Sequence, residues 1–120
     1  MTKAEALHSF FSDFGLPAYP ATAVPKEPGD RYLTYEPRIG AIDDGDLAIT
    51  VNLWFYTTSE AEPNAMAQCL STALGVGGKV IPCDDGYVWL KRGSPWCQSL
   101  SDGDWKRRYI NVSVEYLTAD

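Results

Sequence analysis

Histidine, soft metal ligands, basic charge and long apolar runs are all scarce in this chain, and each shortage removes a class of function. There is one histidine, His8, and three cysteines, Cys69, Cys83 and Cys97, spaced 14 and 14 residues apart with no C-x-x-C pair. A tetrahedral zinc site takes four soft ligands. Three thiols and one distant imidazole are a poor set, so no metal and no cofactor are expected, and the cysteines read as reduced, mostly buried thiols. A Cys83–Cys97 bridge across a hairpin would need an oxidising compartment, and nothing else in the chain points to secretion. No stretch of about 18 apolar residues exists to cross a bilayer. The opening Met1-Thr2-Lys3-Ala4-Glu5 leads into an amphipathic pattern where a signal peptide would carry an apolar core. The expectation is a soluble, cytosolic chain without a membrane partner.

Basic charge is short as well: 10 Lys+Arg stand against 16 Asp+Glu, a formal −6. That argues against a nucleic-acid binder relying on phosphate neutralisation. The excess is local, because residues 1–78 hold 4 basic and 10 acidic side chains and residues 79–120 hold 6 of each. What the chain does have is apolar and aromatic mass, 45% and 12% of its 120 residues. This is enough to bury a core without staples, in one domain spanning residues 1–120.

Leu7, Phe10, Phe11 and Phe14, with Ala4 before them, follow helical spacing, and Thr2 with Glu5 forms a capping box at the start. Gly15 and Pro17 end that helix. His8 falls off the apolar stripe and reads as a solvated side chain. A Pro-rich connector at 15–30, with Pro17, Pro20, Pro25 and Pro28, favours extended backbone, either as an edge-hugging strand or as an arm that packs on another body. Arg31–Glu36 alternates as a strand. After the Asp43-Asp44-Gly45-Asp46 turn, Leu47, Ile49, Val51, Leu53 and Phe55 form a core face opposite Ala48, Thr50, Asn52, Trp54 and Tyr56. A second helix opens near Ser59 through a Ser59/Glu62 box, with Met66, Cys69, Leu70, Ala73 and Leu74 inward, and ends at Gly75. Lys79–Cys83 and Tyr87–Leu90 flank Asp84-Asp85-Gly86. Trp96–Leu100 pairs across Asp102-Gly103-Asp104 with Lys106–Leu117, whose Ile110, Val112, Val114 and Tyr116 face inward. Short Asp-Gly turns force antiparallel pairing, and two single-stripe helices cover one face. The expected fold is therefore α+β: a mainly antiparallel sheet with two helices packed on one face, a two-layer sandwich.

Catalytic signatures are absent. The paired acids at Asp43-Asp44 and Asp84-Asp85 lack calcium-loop spacing and read as turns. Glu60 and Glu62 read as a helix N-terminus stabilised by its dipole. There is no G-x-S-x-G elbow, and Gly75-Val76-Gly77-Gly78 follows a helix where a phosphate loop follows a strand. No enzyme is expected. Lys91-Arg92 and Lys106-Arg107-Arg108 interleave with tryptophans, yet Asp85, Asp102 and Asp104 blunt their charge. These pairs read as a guarded sheet edge or interface rim. The surplus is aromatic: Trp54, Tyr56, Trp89, Trp96, Trp105 and Tyr109, with Arg107, exceed what two helices cover. Tyr, Trp and Arg are the residues enriched where proteins dock.

The runs Ala23-Val24-Pro25, Arg31-Tyr32-Leu33-Thr34-Tyr35 and Val51-Asn52-Leu53-Trp54-Phe55-Tyr56-Thr57-Thr58-Ser59 resemble tail terminator (tail completion) proteins of long-tailed bacteriophages. Lys91-Arg92-Gly93-Ser94-Pro95 and Arg108-Tyr109-Ile110-Asn111-Val112-Ser113-Val114-Glu115-Tyr116 are similar to prophage members of that group. The resemblance covers nearly the whole chain and rests on architectural motifs. It implies an α+β protomer forming a homo-oligomeric ring, usually a hexamer, at the head-proximal end of the virion tail after assembly in the bacterial cytoplasm. Its partners would be the tail tube protein and the head-tail connector, with DNA only as passing cargo. Head-completion or minor capsid neck proteins share this size and layout. A small-ligand module with a pocket among Trp89, Trp96 and Trp105, and a minimal hydrolase using His8, are the readings from other classes.

Overall fold

The alternation that begins at Leu47 becomes a central strand of a six-stranded sheet. The computed structural model describes residues 1–119. Helix α1 (Lys3–Phe11) precedes strands β1 (Ala18–Pro20), β2 (Arg31–Tyr35) and β3 (Asp46–Tyr56). Helix α2 (Ala61–Leu74) follows, then β4 (Lys79–Cys83), β5 (Gly86–Asp102) and β6 (Trp105–Thr118). The strand order is β1-β2-β3-β6-β5-β4, and only β1 against β2 is parallel. The fold is α+β with a mixed, mainly antiparallel, curled sheet.

The inward residues of β3 and β6 meet buried residues of both helices in one core. Ile49, Val51, Leu53 and Phe55 lie there with Ile110, Val112, Val114, Leu7, Phe11 and Leu70. Helix α1 begins where expected. Thr2 Oγ1 accepts from the Glu5 amide at 3.2 Å, and Glu5 Oε1 accepts from the Thr2 amide at 2.8 Å. It relaxes into a 3-10 turn over Ser12–Phe14, and Gly15 reverses the chain at φ 79°. Its stripe buries Ala6 in place of the exposed Ala4, and Phe11 stacks on Tyr35 with centroids 4.9 Å apart.

One open reading is resolved by the fold, and four expectations need correction. The connector's first half takes the edge-strand form, one of its two expected readings: it is β1, paired in parallel with β2 at the edge of a sheet that is otherwise antiparallel among the described residues. Turn-counting misses this pair because the chain returns to it through a long loop. The meander's Tyr87–Leu90 and Trp96–Leu100 are one strand, β5, interrupted only by a register shift between Arg92 and Cys97. The Ser59/Glu62 box does not form. Ser59 Oγ accepts from the Ala61 amide at 3.1 Å, while Glu62 reaches across to Arg31 at 2.7 Å. The buried stripe of α2 is Pro63, Ala67, Leu70, Ser71 and Leu74, leaving Cys69 and Ala73 exposed and Met66 partly buried. One cause is visible at Ser71, whose hydroxyl accepts from the Arg92 guanidinium at 3.0 Å on the sheet side of the helix. Consequently the thiols are free but not mostly buried: Cys69 is exposed, and Cys83 and Cys97 are half-buried.

The basic run on β6 also departs from expectation. Strand β6 lies between β3 and β5, so it guards no edge. Arg108 points inward, 1% exposed, beneath the start of α2. It donates to Asn64 Oδ1 at 2.8 Å and to Glu60 Oε2 at 3.1 Å. Glu60 thus serves as an anchor for a buried guanidinium. Glu60 is half-exposed, so water shares the carboxylate, and the pair is weaker than a fully buried one.

Two stability predictions follow from this packing. Arg108→Ala should cost about 3 kcal/mol in urea unfolding, because packing and several charge-assisted bonds go together, whereas Arg108→Met should recover most of it. In the β5 irregularity, a Cβ on Gly93 would lie 2.6 Å from the Asn111 carbonyl oxygen, while one on Gly77 meets nothing within 4 Å. Gly93→Ala should cost about 1–3 kcal/mol and Gly77→Ala close to nothing by the same measurement.

Candidate interaction surface

The face of the sheet opposite the helices is where the aromatic surplus collects. Period-two alternation puts Tyr32 and Thr34 of β2 beside Trp54 and Asn52 of β3, and these beside Arg107 and Tyr109 of β6. Tyr32 stacks on Trp54 with centroids 6.0 Å apart and meets Trp105 edge-on at 6.1 Å. Trp105 in turn meets Tyr56 at 5.4 Å. The Arg107 guanidinium lies over the Trp54 ring, 5.2 Å from its centroid. Trp54 Nε1–H donates to Thr34 Oγ1 at 3.1 Å, which fixes the indole in the plane of the patch. Tyr109 and Thr50 share a hydroxyl contact at 3.3 Å. Tyr56, at 56% exposure, is the most open ring of the group. Burial pushes the Tyr32 phenol above its ordinary range.

Of the seven expected interface residues, five therefore come together: Trp54, Tyr56, Trp105, Arg107 and Tyr109. Two do not. Trp96 packs against the core side, and Trp89 sits at the far end of the outer face. There Trp89 Nε1–H donates to the Gly77 carbonyl at 2.8 Å, and Lys91 Nζ lies 4.1 Å from its ring. A single pocket among Trp89, Trp96 and Trp105 is thus not formed. Lys91 also bridges Asp46 at 2.6 Å and Glu115 at 3.3 Å. It holds the Asp46 carboxyl below the usual carboxylate range. The bridge contributes stability above the ordinary carboxylate pKa and loses it as pH falls through the lowered one.

Among the surface groups of the patch, the sequence places Asn52 on the outer face of its strand but gives no face to Tyr32 and Thr34. Strand alternation could have placed Tyr32 and Thr34 on one face, but their partners depend on a register that no local signal reveals. Asn52 Oδ1 is buried without a hydrogen-bond partner within the described chain. It borders a cavity of about 270 Å³ shared with Ala21, Val24, Tyr32, Thr34 and Trp54. The Pro-rich connector thus forms one wall of the aromatic patch. A second hollow of about 250 Å³ lies on the other side of Trp54, against Leu100, Ser101, Asp102 and Arg107.

His8 lies away from this surface. Its Nδ1 is 3.2 Å from the Tyr35 hydroxyl and its Nε2 is 3.3 Å from Ser12 Oγ, a local link between α1 and β2. No group of three or more metal-ligating side chains occurs among the described residues, and no described helix is long and apolar enough to cross a membrane.

An unpaired buried carbonyl is a liability in the isolated chain. Asn52→Val should leave the urea midpoint unchanged or raise it by up to about 1 kcal/mol equivalent, since the orphan acceptor disappears and strand propensity improves. A clear loss of stability would show that Asn52 is satisfied in solution.

Comparison with family models, curated proteins and solved structures finds no match for this chain.

Proposed function

We propose that this chain is a structural assembly protein that acts as a ring of identical copies, in the manner of the tail terminator proteins it resembles. The observation that carries the reading is the outer sheet face, where Tyr32 stacks on Trp54, Trp105 meets Tyr32 and Tyr56 edge-on, Arg107 lies over Trp54, and no described helix packs above. Rigid rings and a guanidinium lose little conformational entropy on docking and bury large areas, which is why they dominate interface energetics. They are set on three paired strands, so the patch is preorganised. In this reading the ring is hexameric, caps the tail tube at its head-proximal end and presents its other rim to the head-tail connector. The formal −6 of each copy suits a channel through which DNA passes without adhering. The neck-protein reading uses the same patch with a different neighbour.

Light scattering and negative-stain images of the purified chain should reveal a concentration-dependent ring. Trp54→Ala and Trp105→Ala should each weaken association by about 2–4 kcal/mol while the circular dichroism of the monomer is retained. Arg107→Ala should act in the same direction and by less. A chain that stays monomeric at every concentration and ignores tail tubes overturns the proposal.

A further inference from the structure

We propose that the open edge of β5, from Cys97 to Ser101, pairs antiparallel with the same segment of a second copy about a two-fold axis at Ser99. This goes beyond the ring reading and uses a different surface. Strand β4 covers β5 only from Gly86 to Leu90. Past Leu90, no strand among the described residues lies on that side. The Gly103-Asp104 turn, with Gly103 at φ 63°, makes Asp102 and Trp105 a hydrogen-bonded pair. Antiparallel alternation then bonds Leu100 to Arg107 and Gln98 to Tyr109, and it turns the N–H and C=O groups of Cys97, Ser99 and Ser101 away from β6.

The other edges are guarded. Strand β1 is three residues long and ends in Pro20, and β4 carries Lys79 and Pro82. The open half of β3 is closed by Glu36, whose carboxylate accepts from the Thr50 amide at 2.7 Å, and by Arg38, which donates to the Ala48 carbonyl at 3.1 Å. The run Trp96-Cys97-Gln98-Ser99-Leu100-Ser101 has neither proline nor charge. Natural proteins blunt exposed edges with such guards, and an unguarded run of unpaired N–H and C=O groups is a template for pairing with another chain.

The occupant follows from self-complementarity. Centred on Ser99, the register sets Ser99 against Ser99, Gln98 against Leu100, Cys97 against Ser101 and Trp96 against Asp102, so no like charges meet. Three outward-facing residues per copy supply about six backbone hydrogen bonds. The hollow beside Trp54, lined by Leu100 and Ser101, adjoins this edge and gives the partner's side chains room.

The test uses the full chain in sedimentation velocity and amide hydrogen exchange from low to high micromolar concentration. A dimer should form, and the Cys97, Ser99 and Ser101 amides should slow about tenfold or more as it does, while the already bonded Leu100 amide is unchanged. Ser99→Lys, which sets like charges directly opposite, should raise the dissociation constant at least about tenfold. A monomer throughout, or exchange at these three amides that ignores concentration, overturns the proposal; the exchange readout holds even if the variant folds poorly. Self-association that survives Ser99→Lys but is lost in Trp54→Ala also overturns it, and leaves the ring reading standing.

Discussion

The register between β3 and β6 is the constraint on which the rest of the molecule depends. The two strands pair continuously from Asp46 opposite Glu115 to Tyr56 opposite Trp105. Because side chains alternate, a slip of one residue would turn Ile49, Val51, Leu53 and Phe55 into solvent and drive Asn52 and Trp54 into the core. Burying each of those apolar side chains is worth about 1.5–3 kcal/mol, so the slipped state is far out of reach. The same pairing assembles the outer patch, since Trp54 meets Arg107 and Tyr56 meets Trp105 only in this register. Core stability and the aromatic face are set by one choice.

The contrast between Arg107 and Arg108 shows how sharply that choice divides the two sides. Neighbouring residues of identical chemistry do opposite things: one spreads over the Trp54 ring on the open face, the other is buried under α2 against Asn64 and Glu60. The buried guanidinium ties the start of α2 to the strand that carries the outer patch. It also explains why Glu60 stands at the helix entry without a side-chain cap of its own.

Much of this was legible in the sequence. The alternation of Leu47–Tyr56, the Thr2/Glu5 box, the Asp-Gly turns and the inward set Ile110–Tyr116 are local signals, and all appear as read. What failed was non-local. Parallel β1 depends on a return through a long connector, and the rotation of α2 depends on Ser71 meeting Arg92. The burial of Arg108 depends on two acceptors supplied 44 and 48 residues away. The aromatic patch was half readable for the same reason: composition announced an aromatic excess, but only pairing decides that Trp54 joins Tyr32 and that Trp96 turns inward.

The two proposed association surfaces differ in symmetry, and that difference organises what they can build. An edge contact centred on Ser99 is isologous: it consumes the same segment of both copies and closes at two. A ring larger than a dimer needs a repeated contact between two different patches. The hollow beside Trp54 is walled by Leu100 and Ser101 of the open edge and by Arg107 of the aromatic face, so the surfaces are contiguous and a neighbour on one crowds the other. Where both proposed contacts operate, the edge pairing and the ring contact compete for the same hairpin. The balance between them is then set by whichever partner covers Trp54.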